Sequence, residues 1–335
     1  MQVKGMLRAI FKSSKYVNVE IKDYVIRFAE LKNKRPVVVQ QCGEHYLPKG
    51  IIENGRILNK ELFQTVLRRF FQKWKLKDKP VRFIVPDSSI VIRKINVPAD
   101  VPDDEINGYL YFELDHTIHL PFEHPVIDHA IIEKKEESKE ILLIASPEEI
   151  VNSYADLLKE QKTRPVAADI SPLCQYRLFD HLGLTADDES ILLIQTDTET
   201  ATISIFEKHT PIFMQQFVIS YPNAGWDPVI NSESGTISFE LCDKEQSILA
   251  FQDLYLELER ILRFYQYSLH NGGKEITQFF LTGDHPFFQD IVEQIGSRFS
   301  IRVSTIPIHF LHNLHNEPVE PKYFAVLGLG IREGE

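Results

Sequence analysis

Seven side chains that could ligate a metal ion fall between residues 115 and 129. Imidazole and carboxylate groups are the ligands that zinc takes in proteins. The seven are His116, His119, His124 and His129 with Asp115, Glu123 and Asp128. Their spacing crosses a predicted helix end, a proline-bounded turn and a strand, so no regular element brings them together. We therefore predict ordinary surface histidines and no metal site.

The sequence lacks the signatures of the common enzyme classes. It contains no P-loop GxxxxGK[ST], no GxSxG, no HExxH and no protein-kinase signature. The cysteines Cys42, Cys174 and Cys242 are far apart and form no CxxC pair, which indicates a reducing compartment. We predict a binding protein without catalytic residues.

The length and net charge of the chain indicate the number of domains and limit the kinds of partner it can bind. A chain of 335 residues predicts about two domains. Its formal net charge of −11 argues against a general nucleic-acid binder, which needs a basic face for phosphates. The sequence has neither an apolar run of roughly 18 residues nor a secretory signal, so we expect a cytoplasmic location.

Two similar groups of strands predict a duplicated architecture. Residues 16–41 and 190–217 each read as three short strands with alternating or β-branched residues. Three pairs of positions share an offset of 175 residues: Glu20 with Gln195, Pro36 with Pro211, and Gln40 with Gln215. This repetition indicates two halves built on one plan.

Helical and buried-strand patterns fill the rest of each half. Helices are predicted over 60–74, 146–161, 246–269 and 286–299, the second opening with a capping box from Ser146 to Glu149. Buried strands are predicted over 81–86, 141–146, 165–170 and 276–282. Turns are expected at 22–23 and 33–34, and residues 220–240 read as a loop plus one strand. The alternation predicts an α/β protein with mixed sheets.

Six segments follow one another in a characteristic order. They are NVEIKDYVIRFAEL, INVPADVPDDEINGYLYFELDHTIHLPFEHPVIDHAII, LLIASPEEIVNSYADLLKEQKTRPVAADISPL, ELERILRFYQ, FFLTGDHPFFQDIVEQI and FAVLGLGIRE. In this order they resemble the PilM family of type IV pilus assembly proteins, over about residues 16 to 333. They are also similar, more remotely, to FtsA and to GspL-type secretion proteins.

This resemblance implies an actin-like (ribonuclease H-like) fold, in which two duplicated domains with mixed sheets and helices flank a cleft. Domain 1A would comprise 1–87, 164–188 and 318–335, with subdomain 1C inserted at 88–163. Domain 2 would comprise 189–317. Its 2B part would be reduced, because residues 220–243 read as a loop-like stretch where the family has helices.

The same resemblance places three nucleotide loops on altered residues. Phosphate-binding turns need small residues, so that backbone N–H groups can approach closely. Charged or bulky residues replace most of the expected small ones. The loop positions are Glu20, Lys22, Asp23, Gln195, Asp197, Glu199, Thr282, Gly283 and Asp284. In the third loop only Gly283 is kept, and Asp284 and His285 replace the other glycines. We predict no ATP hydrolysis and no tight ATP binding, and therefore neither ATP nor Mg²⁺ as a cofactor.

The resemblance also implies a partner: the cytoplasmic tail of a PilN-like membrane protein, docked on 1C and its seam with domain 1A. Aromatic clusters with an acidic margin suit an apolar peptide with basic flanks. The acidic margin is Asp103, Asp104 and Glu105. The predicted contact residues are Tyr109, Tyr111, Phe112, Leu120, Pro121 and Phe122.

Three functions remain open from the sequence. The first is a pseudo-ATPase adaptor of a type IV pilus or competence pseudopilus, held at the inner face of the cell membrane by its partners. These would include other proteins of the pilus inner-membrane complex or the assembly ATPase. The second is an active actin-like ATPase, and the third an actin-fold component of a type II secretion or cell-division machine. Residues 1–15 are a further candidate for membrane contact, although we favour a docked or frayed end.

Overall fold

The computed structural model describes residues 16–332 except 222–225, 231–236 and 242–243, and it gives the backbone alone for 226–230, 237–241 and 244–248. Residues 1–15, the candidate segment for membrane contact, therefore lie outside the described residues. The strands are β1 (Val17–Ile21), β2 (Val25–Lys34), β3 (Val37–Tyr46), β4 (Ile52–Glu53), β5 (Arg56–Ile57), β6 (Pro80–Ile84), β7 (Val91–Pro98), β8 (Pro125–Lys134), β9 (Ser138–Pro147), β10 (Arg164–Asp169), β11 (Ser190–Thr196), β12 (Thr200–Glu207), β13 (Thr210–Val218), β14 (Trp226–Ile230), β15 (Ile237–Leu241), β16 (Gln278–Gly283), β17 (Arg302–Ser304) and β18 (His312–Asn313).

Seven α-helices connect these strands in the described residues. They are α1 (Lys60–Lys73), α2 (Ile106–Glu113), α3 (Glu148–Glu160), α4 (Ser171–His181), α5 (Lys244–Arg263), α6 (Phe288–Arg298) and α7 (Phe324–Ile331). A π-helical turn over Phe264–Leu269 extends α5. No described helix is both long and apolar enough to cross a membrane.

The chain divides into two compact units. Unit 1 contains the residues up to 182 and those from 307 on, and unit 2 contains residues 183–306. The main sheet of unit 1 has the order β10-β6-β1-β2-β3-β18. Strands β1, β2 and β3 form an antiparallel meander. Strand β6 pairs in parallel with β1, and β10 pairs in parallel with β6. A meander continued by parallel strands is the mixed sheet that the sequence predicts.

Helices α1 and α3 supply much of the core on this sheet. Asn59 caps α1 by accepting a hydrogen bond from the N–H of Leu62. The buried face of α1 carries Phe63, Leu67, Phe70 and Phe71, and the ring of Phe70 meets that of Phe28 edge-on at 5.6 Å. Burial of such side chains stabilises the unit by about 1.5–3 kcal/mol each.

Two local predictions in unit 1 are wrong. The capping box at Ser146 does not form, because Ser146 belongs to β9 and Pro147 occupies the N-cap position of α3. The turn expected at Asn33–Lys34 lies two residues later, at Arg35–Pro36, because β2 continues through Lys34.

A second, smaller sheet is inserted in unit 1 between β6 and β10. Its three antiparallel strands have the order β7-β9-β8. Helix α2 packs on it through Ile106 and Leu110, and both side chains are fully buried. Helix α3 follows directly, but its buried residues Tyr154, Leu157 and Leu158 join the core of the main sheet.

Unit 2 repeats the plan of unit 1. Its sheet has the order β17-β16-β11-β12-β13, with an antiparallel β11-β12-β13 meander and parallel β16 and β17. This is the order β10-β6-β1-β2-β3 again, so the duplication predicted from the 175-residue offset is confirmed. One prediction here is wrong: two strands, β14 and β15, pair in an antiparallel manner where the sequence indicated a single strand.

Candidate functional site

The first candidate nucleotide loop follows β1 in unit 1 and already contains its own counter-charges. The carboxylate of Glu20, 2% exposed, lies 3.5 Å from Nζ of Lys22 and 3.9 Å from Nη1 of Arg27. Glu20 and Arg27 are cross-strand neighbours on β1 and β2, so the sheet register itself brings them together. Two cations of the protein thus lie beside Glu20, which the resemblance aligns with the acidic residue of the family's first loop.

Asp23, in the same loop, is hydrogen-bonded to the turn between β4 and β5. Its carboxylate accepts hydrogen bonds from the backbone N–H groups of Asn54 (2.6 Å) and Gly55 (3.0 Å). Burial raises the pKa of Asp23, and these two hydrogen bonds oppose that rise. The N–H of Lys22 donates to the carbonyl of Val25 at 2.9 Å. This loop is therefore a structural turn that holds the β4–β5 turn.

The matching loop of unit 2, between β11 and β12, is closed in a similar way. The side-chain amide of Gln195 donates to the carboxylate of Asp197 at 2.7 Å. The N–H of Asp197 donates to the carbonyl of Thr200 at 2.8 Å, and the carbonyl of Glu199 accepts the N–H of Ile219. Asp197 is 2% exposed. Its charge would oppose a phosphate here.

The third loop, after β16, folds onto the second. The carbonyl oxygen of Thr196 accepts the N–H groups of Asp284 (3.1 Å) and His285 (3.2 Å). Gly283, between these loops, has φ +136°, and a Cβ at this position would lie 1.9 Å from that same oxygen. Thr282, the residue before it, is buried in β16. A glycine is required here for close packing of two strands, whatever else the loop binds.

The side chain of His285 connects the third loop to Tyr221. Its Nδ1 accepts the N–H of Phe287 at 3.0 Å, and its Nε2 lies 2.9 Å from the hydroxyl of Tyr221. Burial lowers the pKa of His285 to about 4, although Asp284 opposes that fall. From the sequence, His285 is recognised only as the replacement of a loop glycine. Tyr221 is distant in sequence, and no pattern predicts its contact with His285.

A separate cavity of about 200 Å³ lies in unit 1 between the inserted sheet and the main sheet. We call it the seam groove. One wall contains Val126 and Asp128 of β8 with Ile144 of β9. The opposite wall is formed by the end of β10, the first turns of α4 and the residue after α7, and it includes Ala168, Asp169, Ile170, Leu173, Arg177 and Arg332. The groove is therefore mainly apolar with charges at defined points.

Both walls of the groove end in the outer strand of a sheet. The inserted sheet ends at β8 and the main sheet at β10, and no described strand pairs with the outer edge of either. The charged side chains near β10 are ordered by contacts with one another: Nη2 of Arg177 lies 3.0 Å from the Asp169 carboxylate, and its Nη1 donates to the Gly328 carbonyl at 2.9 Å. Strand edges beside a shaped apolar groove are features of sites that capture extended peptides.

The family model of the type IV pilus assembly protein PilM matches residues 18–218, which is more than half of the chain. The chain belongs to the PilM family. No curated protein sequence matches it.

Solved structures show the same fold at low sequence identity. A chain of a PilM-PilN type IV pilus biogenesis complex is 15% identical, with a TM-score of 0.73 over 95% of this chain and 99% of that one. The ethanolamine utilization protein EutJ from Carboxydothermus hydrogenoformans is 10% identical, with a TM-score of 0.50 over 94% of this chain and 88% of that one. The fold is therefore the actin-like one predicted from the sequence.

The contact residues predicted from PilM-like proteins lie on α2 and in the segment between α2 and β8, outside the walls of the seam groove. Tyr109, Leu120 and Phe122 are half-buried against the core beneath α2. Tyr111 is 45% exposed and Phe112 is 70% exposed; Pro121 is exposed as well. In the acidic margin, Asp103 binds Lys139 at 2.7 Å. The structure thus separates two candidate surfaces in this member of the PilM family, and the six residues stay a prediction.

The seven histidines and carboxylates between residues 115 and 129 are spread over the segment between α2 and β8 and over β8 itself. No three such side chains come together anywhere in the described part of the chain.

Proposed function

We propose that this chain is an adaptor of type IV pilus assembly that binds the cytoplasmic tail of a PilN-like membrane protein in the seam groove and does not hydrolyse ATP. The observation that carries the proposal is the seam groove itself, an apolar cleft between two outer strands. An extended tail can pair its backbone with such a strand edge and fill the cleft with its apolar side chains. The likeness to a chain solved in a PilM-PilN complex supports the choice of partner.

The nucleotide loops support the second half of the proposal. Each of the three contributes at least one N–H group to a hydrogen bond within the protein: Lys22, Asp197, Asp284 and His285. A phosphate would have to replace those bonds and also approach the buried carboxylate of Asp197. The resulting adaptor lies in the cytoplasm and reaches the inner face of the membrane through its partner.

The test is calorimetry with a synthetic peptide of the N-terminal cytoplasmic tail of the PilN-like partner. Val126 is 38% exposed on the groove wall, and Val218, on β13 of unit 2, is 67% exposed. Val126→Asp should lower the peptide affinity by roughly thirtyfold, because a charge then lies in an apolar contact worth about 2 kcal/mol.

Val218→Asp is the matched control: the same change at an exposed strand valine, which should leave the affinity unchanged. Both variants should melt near the wild-type temperature. Equal peptide binding by the two folded variants would exclude the seam groove as the site.

A further inference from the structure

The outer edge of β10 has a defined pattern of backbone groups beside the seam groove. The carbonyl of Asp169 faces the neighbouring strand side, where it accepts the N–H of Val85 at 2.9 Å. Backbone groups of successive strand residues alternate in direction. The carbonyl of Ala168 and the N–H of Ile170 therefore face the open edge.

Both of these edge groups are closed by side chains. Nη1 of Arg332 donates to the carbonyl oxygen of Ala168 at 3.0 Å, and the N–H of Ile170 donates to Oδ1 of Asp169 at 2.9 Å. The two side chains that close the edge also face each other, with Nη1 of Arg332 3.6 Å from Oδ2 of Asp169. One ion pair thus covers one acceptor and one donor of the strand edge.

These two groups are the pair that a parallel neighbour uses. In a parallel ladder, one residue of the added strand donates its N–H to the carbonyl before the residue opposite and accepts the N–H of the residue after it. For a residue opposite Asp169, those partners are Ala168 and Ile170. The Arg332–Asp169 pair therefore occupies the position of one residue of an added strand.

We infer that a segment bound in the seam groove pairs in parallel with β10, with one residue opposite Asp169, and that its N–H displaces Arg332 from the carbonyl of Ala168. The inference rests on the proposed function. Arg332 is a specificity-determining residue under this inference, because only a segment with a free N–H at that position regains the bond that the guanidinium gives up.

The structure allows Arg332 to leave without unravelling α7. The carbonyl oxygen of Arg332 is held by Nζ of Lys34 at 2.7 Å and by Nη1 of Arg82 at 3.2 Å. Asp169 keeps its second cation, because Arg177 remains 3.0 Å away. The Arg332 side chain is 34% exposed, so solvent can receive it.

The test repeats the tail-peptide calorimetry with Arg332→Ala. Removing a competing hydrogen bond should tighten binding by about fivefold. Arg164→Ala removes the same charge from the exposed start of β10 and is the matched control; it should leave the affinity unchanged and so exclude a general charge effect. Both variants should melt near the wild-type temperature.

A scan of singly N-methylated tail peptides supplies the second readout. One position should weaken binding strongly, and at that position the advantage of Arg332→Ala should disappear, because no N–H remains to take up the freed carbonyl. Weaker or unchanged binding by Arg332→Ala would overturn the inference. Weaker binding would mean that Arg332 contacts the peptide directly, and unchanged binding would mean that Arg332 does not compete with it. In either case, pairing of the peptide with β8 would become the alternative. If no peptide binds to wild type or variant, the proposed function fails with it. If Val126→Asp weakens binding but Arg332→Ala does not strengthen it, only the inference fails.

Discussion

The hydroxyl of Tyr221 lies 2.9 Å from Nε2 of His285 and 2.8 Å from the carbonyl oxygen of Thr198. Since a carbonyl can only accept, Tyr221 donates to Thr198 and must accept from His285. Nδ1 of His285 accepts the N–H of Phe287, so the single proton of the neutral ring lies on Nε2. The arrangement requires a neutral imidazole and closes the third loop over the second.

This geometry predicts acid sensitivity centred on His285. Burial lowers its pKa from 6.5 to about 4, so the unfolded chain binds a proton at a higher pH than the folded one. The stabilising effect is complete above about pH 6.5 and is lost as the pH falls towards 4. The full effect is roughly 3 kcal/mol.

Urea unfolding of wild type and His285→Asn across this pH range measures the effect. Asparagine retains an acceptor for the N–H of Phe287 but does not titrate here. The stability difference between the two proteins should shrink as the pH falls from about 6.5 to 4. A difference that stays constant over that range would show that His285 does not control the transition.

Gly283→Ala should destabilise unit 2 by more than about 2 kcal/mol. The new Cβ would lie 1.9 Å from the carbonyl oxygen of Thr196 at a φ of +136°, which no alanine adopts without moving two strands. Gly108→Ala is the control, because Gly108 lies in α2 with open space around its Cβ position. That change should be neutral or stabilise by up to about 1 kcal/mol. Comparable melting temperatures for the two variants would contradict the close packing at Gly283.

The duplicated sheets were predictable because three strands in a row carry a strong period-2 pattern, and Glu20 and Gln195 fall at matching places in the two halves. The error at Ser146 has a local cause. Strand β9 continues directly into α3, so Ser146 pairs as a strand residue and does not cap the helix. The seam groove was not predictable in detail, since Val126, Leu173 and Arg332 come together only through the fold. Tyr221 and His285 are likewise 64 residues apart in sequence and belong to no motif.

Mg-ATP should produce no binding heat at micromolar concentrations, and the purified protein should have no phosphate-releasing activity. The reason is local in each unit: Arg27 and Lys22 neutralise Glu20, and Asp197 presents a buried charge in the matching loop. A shift in melting temperature with Mg-ATP is an independent readout, because any ligand of the folded state raises it. Micromolar affinity, or nucleotide retained through purification, would contradict the pseudo-ATPase proposal.

The exposed aromatics of α2 provide a decisive comparison with the seam groove. Phe112 is 70% exposed and Tyr111 is 45% exposed, whereas Leu110 between them and the sheet is fully buried. Leu110→Ala should therefore lower stability by about 2–5 kcal/mol, while Phe112→Ala should change it by less than about 0.5 kcal/mol.

If α2 takes part in partner binding, Phe112→Ala and Tyr111→Ala should each weaken tail-peptide binding by about 2 kcal/mol without a change in melting temperature. Peptide titrations of the two folded variants beside Val126→Asp would then assign the contact surface: unchanged affinity in both aromatic variants, with loss only in Val126→Asp, would remove α2 from the site and leave the seam groove as its location.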